Sequence, residues 1–90
     1  MTLGQVLNDA VSLSVNDRLF LPFDEVWTLS TRCAVAAGDE HVAPGLEYAM
    51  LVSQVCDAVA NAKAQKPDAS PDMLLRALLF YYDHDAFIEF

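Results

Sequence analysis

Leu46-Glu47-Tyr48-Ala49-Met50-Leu51-Val52-Ser53-Gln54-Val55-Cys56-Asp57-Ala58-Val59-Ala60-Asn61-Ala62-Lys63-Ala64-Gln65 is the stretch on which the fold turns. Its first half alternates, with Leu46, Tyr48 and Met50 on one side, and fits either a third strand or the first turns of a long helix. The strand is preferred because Ser53 is a good N-cap for a helix that begins beyond it. From Gln54 to Gln65 the apolar residues Val55, Cys56, Val59 and Ala62 form a helical stripe. Lys63 and Lys66 suit its C-terminal dipole end, and Pro67 stops it.

Downstream, Ser70-Pro71-Asp72 is a strong helix start, with serine at the N-cap, proline at the first helical position and an acid in the first turn. The helix it opens runs to about Tyr82. It is apolar on most of its surface and is expected at the centre of the core. Upstream, Gly38–Gly45 is the clearest loop, holding Asp39, Glu40, His41 and Pro44. Before it, Thr28–Ala37 alternates, with Leu29, Cys33, Val35 and Ala37 on one face, and reads as a half-buried strand; its alanines argue the other way. Arg18-Leu19-Phe20-Leu21, stopped by Pro22, reads as a short strand at an edge. Thr2–Leu13 carries Leu3, Val6, Leu7, Ala10 and Val11 at helical spacing behind a Thr2 cap. The order helix, three strands, two helices defines an α+β domain over residues 1–90: a small three-stranded antiparallel sheet with helices packed on one face.

Ninety residues, 54% of them hydrophobic, fill one folded domain and argue against disorder. Thirteen acidic and five basic residues leave a net charge of -8. That balance disfavours nucleic acid, which needs Lys and Arg on its phosphates, and anionic membrane surfaces. It favours a basic protein partner through long-range attraction. Solubility alone also accounts for acidity in many proteins. Met1–Leu13 has no basic region ahead of its apolar residues and contains Asp9, so no secretory signal is expected there. A cytoplasmic setting with reduced thiols follows.

The search for chemistry yields little. Glycines at 4, 38 and 45 make no phosphate loop. Cys33, Cys56, His41 and His84 match no zinc spacing, and a negative field works against a reactive thiolate. No catalytic residue, metal or cofactor is expected. The tail Tyr81-Tyr82-Asp83-His84-Asp85-Ala86-Phe87-Ile88-Glu89-Phe90 interleaves aromatics with acids, as an interface with apolar anchors and a charged rim would. The alternative, which the composition favours of the two, is that Phe87, Ile88 and Phe90 close the core while the acids face water. Trp27 carries the same two readings, as core residue or interface anchor. The candidate partner-binding residues are Tyr82, Asp83, His84, Asp85, Glu89, Asp39, Glu40 and Glu47.

Leu46–Met50, Asn61–Pro67 and Leu78–Phe87, with the earlier Leu19–Pro22, resemble a family of small acidic bacterial proteins, and the likeness covers most of the chain. In size and charge the chain is also similar to immunity proteins of interbacterial toxin systems. That resemblance implies a cytoplasmic inhibitor occluding the basic active-site surface of a toxin, for instance a nuclease domain, and it carries no site residues. The alternatives are an interaction or assembly domain, a homodimer among its forms, whose charge serves solubility, and, ranked last, a small enzyme or metal protein.

Overall fold

The structure, a computed structural model, describes residues 1–37 and 42–90. Helix α1 (Leu3–Asp9) opens on a reciprocal cap. Thr2 Oγ1 accepts the Gln5 N–H at 3.3 Å, and Gln5 Oε1 accepts the Thr2 N–H at 2.8 Å. Leu3, Val6 and Leu7, at helical spacing, turn inward, and the helix runs into a 3-10 turn at Ala10–Ser12. The start of the chain is tied down by backbone bonds: Leu3 N–H donates to Thr31 O and Cys33 N–H to Met1 O, each at 2.9 Å.

Three strands, β1 (Arg18–Leu21), β2 (Ala34–Ala36) and β3 (Glu47–Leu51), form an antiparallel sheet in the order β2-β1-β3. With helices at both ends of the chain, the α+β architecture is the one expected. β1, expected at an edge, is the central strand. Pro22 follows the last paired residue, Leu21, so its missing N–H costs the ladder nothing.

The strand expected over Thr28–Ala37 shrinks to its last third. Thr28–Thr31 is a turn instead: Thr31 N–H donates to Thr28 O at 3.1 Å, and Thr28 N–H donates to Thr31 Oγ1 at 2.7 Å. The buried threonine hydroxyl satisfies the turn backbone rather than facing out of a pleat. The expected inward set also changes, since Cys33 and Ala36 are buried while Leu29, Val35 and Ala37 are only partly so.

β3 forms as expected but begins at Glu47, and Tyr48 and Met50 do not share a face. Leu19 pairs with Met50 and Phe20 with Tyr48, so Ala49 is the extra residue of a β-bulge. The bulge resets the alternation: Met50 is buried beside Leu19, while Tyr48 is half exposed with its ring edge-on to Phe20.

Helix α2 (Val52–Gln65) follows β3 without a loop, and Ser53 is not its cap. The capping position is Leu51, whose N–H is taken by Gln54 Oε1 at 2.9 Å. Val52 N–H reaches back to Asp17 O at 2.9 Å, which starts the helix one residue before Ser53.

Helix α3 (Pro71–His84) starts as expected, with Ser70 Oγ accepting the Met73 N–H at 3.2 Å, and ends two residues beyond Tyr82. It is not the centre of the core. It buries Leu74, Ala77 and Leu78, whereas α2 buries Val52, Val55, Ala58, Val59 and Ala62. α3 packs on α1 and α2 from outside, leaving Leu75, Leu79 and Phe80 half-buried. The sheet face bearing Leu19, Leu21 and Met50 joins all three helices in one core. Among the described residues no helix is long and apolar enough to cross a membrane.

Candidate protein-binding face

After β1 the chain turns through Pro22–Trp27. The Trp27 indole N–H donates to the Pro22 carbonyl, closing this loop on itself. The closure sets Phe23 and Trp27 edge-on at a centroid distance of 5.3 Å. The last turn of α3 completes the cluster: Tyr82 lies 4.9 Å from Trp27 at 68° and 6.4 Å from Phe23. Such edge-to-face contacts add to area burial and fix ring positions. Trp27 is half-buried at the base of the cluster, while Phe23 and Tyr82 stay 44% and 40% exposed. That exposure leaves a rigid apolar surface open to solvent. Val26, the residue before Trp27, is 84% exposed.

Two concavities flank the rings. A groove of about 210 Å³ is lined by Ala49 and Met50 of β3, Gln54 of α2, and Tyr81, Tyr82 and Asp85 of α3. On the side of Phe23, a shallower hollow is lined by Phe23, Asp24, Gly45 and Glu47. Since Tyr82 belongs to the groove and touches Phe23, which belongs to the hollow, the two form one face. The turn Ala43–Leu46 sets the far wall. Leu46 N–H donates to Ala43 O at 3.2 Å, and Gly45 takes φ +89°, which the corner after Pro44 requires and which glycine adopts without strain.

The electrostatics of this face are one-sided. Asp24, Glu47 and Asp85 line it, and none of the five Lys and Arg residues does. Asp85 is placed by the end of α3. It caps the helix in the left-handed conformation at φ 51°, with its N–H on Tyr81 O at 2.8 Å. The i, i+3 spacing then keeps Tyr82 and Asp85 on the same side of the chain.

The face gathers three of the residues expected from sequence: Tyr82, Asp85 and Glu47. Asp83 and His84 are exposed but do not line either concavity, and His84 instead lies over Phe80 at a ring distance of 4.3 Å. Glu89 is exposed at a different place, beside Asn61 and Gln65. Asp39 and Glu40 lie outside the described residues. Of the tail aromatics, Ile88 and Phe90 pack against the core while Phe87 stays exposed, so the core-closing reading holds for two of the three. Phe23, Asp24 and Gln54 were not singled out from sequence. The hint available was the pair Phe23 and Trp27, four residues apart and ahead of the Thr28 turn.

Cys33 is buried, and burial pushes its thiol up to about 11, with the N-terminal ammonium pulling slightly the other way. A thiol held protonated is a poor nucleophile. Cys56 donates its S–H to Ala10 O at 3.2 Å. Among the described residues, no three His, Cys, Asp or Glu side chains gather as metal ligands.

The fold and this face define a small α+β domain with exposed aromatic rings beside three carboxylates. The chain belongs to the DUF7716 family, a domain of unknown function, whose model matches residues 1–90. No curated protein and no solved structure matches it.

Proposed function

We propose that the protein acts by binding another protein and not by catalysis. In this reading it is a cytoplasmic inhibitor of the immunity type, neutralising a cognate bacterial toxin by occluding a basic active-site surface. One observation carries the reading: Asp24, Glu47 and Asp85 border the exposed rings of Phe23 and Tyr82, and no basic side chain intervenes. Anchors of this kind hold an interface closed and set its dissociation rate, while the surrounding charge speeds encounter. A nuclease toxin, whose cleft is basic in order to hold phosphates, is the partner class that such a surface complements best.

The test is co-expression with each candidate toxin domain that the genes flanking this one encode, followed by kinetics on the purified pair. Protection of the cells is expected, with a nanomolar or tighter complex. Its association rate should fall at least about tenfold between low and high salt. Absence of protection against every neighbouring candidate toxin removes the inhibitor reading. Concentration-dependent self-association through Phe23, Val26 and Tyr82 would favour an assembly domain instead.

A further inference from the structure

Among the described residues β3 ends the sheet, pairing with β1 along one side only. An edge strand offers unpaired amide and carbonyl groups to whatever chain lies beside it. Ala49 and Met50 of this strand line the groove together with Tyr81, Tyr82 and Asp85, and the ring cluster continues the surface toward Glu47. Resting on the protein-binding reading above, we infer that this groove receives an extended, basic segment of the partner, which adds to the β3 edge as a short strand. Its lysine or arginine side chains lie beside Asp85 and Glu47, and an apolar side chain seats against Tyr82 and Phe23.

Charge and strand geometry choose this occupant. Among the described residues that line the face the charged ones, Asp24, Glu47 and Asp85, are all acidic, and Arg18, which lies over the Tyr48 ring, lines neither concavity; in a chain of net charge -8 a cationic segment is attracted from a distance and matched on arrival. A second copy of the same chain fits poorly. A two-fold pairing through this surface brings Asp24, Glu47 and Asp85 of both copies together, and like charges oppose it. The bulge at Ala49 interrupts the regular edge, so the added strand is short. Strand addition then supplies affinity through the main chain, and the acids and rings supply selectivity.

Three seven-residue probe peptides test this on the full chain. The first alternates lysine with valine around a central tyrosine. The second has the same sequence with alternate backbone amides methylated, and the third carries glutamate in place of lysine. Binding is followed by the fluorescence of Trp27, the sole tryptophan, and by the amide resonances of residues 47–50. The first peptide is expected to shift both signals. Methylation should weaken it by about tenfold or more, and the glutamate peptide should not bind. Asp85→Asn keeps the left-handed cap while removing the charge, and Glu47→Gln does the same on the opposite wall. Each should weaken the lysine peptide by about threefold to fivefold without moving the thermal midpoint.

Equal binding of the first two peptides overturns the inference. So do shifts confined to residues away from β3, or no binding by the lysine peptide. The two readings separate cleanly. Cell protection without peptide binding retires strand addition and leaves the inhibitor, while peptide binding without protection does the reverse.

Discussion

The side-chain amide of Gln65 accepts the backbone N–H of Phe90 at 3.0 Å while its Nε2 donates to the Ile88 carbonyl at 2.7 Å. One glutamine at the end of α2 therefore pairs with the tail as a neighbouring strand would. Asn61 Oδ1 steadies it at 2.8 Å, and the Arg76 guanidinium lies over the Phe90 ring at 5.7 Å. Gln65→Ala should cost about 0.5–1.5 kcal/mol, the usual net worth of a hydrogen bond, because the bonds to the tail are solvent-exposed. Hydrogen exchange at the Phe90 amide, the tail N–H that Gln65 holds, checks it: the variant should exchange faster there while the amides of α3 are unchanged.

Glu89, beside Asn61 and Gln65, lies outside the two concavities that Asp85 and the aromatic rings share, which gives a matched comparison. Asp85→Asn and Glu89→Gln remove the same charge from two places. If the partner docks on the aromatic face, both should slow association similarly, whereas only Asp85→Asn should speed dissociation. Tyr82→Ala should weaken the complex by about 2 kcal/mol or more, as loss of a central anchor does. Its effect on unfolding should be smaller, because the ring is already partly exposed. Surface-resonance rates for the three variants decide this.

Gly4 sits where α1 meets the Thr28–Thr31 turn. Its N–H donates to Leu29 O at 2.8 Å, and a Cβ added there would meet that same oxygen at 3.0 Å. Alanine is the better helix former, yet the contact is with backbone and cannot yield cheaply. Gly4→Ala is expected to destabilise by about 1–2 kcal/mol, strain outweighing propensity. The urea midpoint measures the sign.

Cys33 supplies a pH dependence. Its thiol is raised in the folded chain to about 11 from 9.0, by burial first. A group raised on folding contributes stability that is complete below its unfolded value and is lost as pH climbs through the folded one. Stability should therefore decline between pH 9 and pH 11, by roughly 2 kcal/mol at the upper end. Cys33→Ala should flatten that part of the profile in chemical denaturation.

How far the sequence revealed this molecule depended on whether the deciding contact was local. The Ser70-Pro71-Asp72 start and the Thr2 cap are local hydrogen-bond chemistry, and both appear where the residues imply. Thr28–Thr31 misled because threonine serves strands and turns alike, and only the closure onto its own backbone separates them. Ser53 misled because the bond from Val52 to Asp17, set by the sheet, began the helix earlier. The bulge at Ala49 has no signature of its own, so the opposed faces of Tyr48 and Met50 were hidden. At the candidate face, Tyr82, Asp85 and Glu47 stood out from sequence as an aromatic and acids. Their neighbours Phe23 and Trp27 join them only through the packing of a loop on the far end of another helix, a juxtaposition that no window of sequence contains.

The sealed thiol also gives the molecule a stopwatch. An alkylating reagent can reach Cys33 only during moments when its surroundings part, so in a Cys56→Ser background each modified molecule records one such opening. At saturating reagent the modification rate equals the opening rate. A partner that clasps the folded chain would lengthen the interval between openings, and its engagement could be timed with no label beyond the chain's own sulfur.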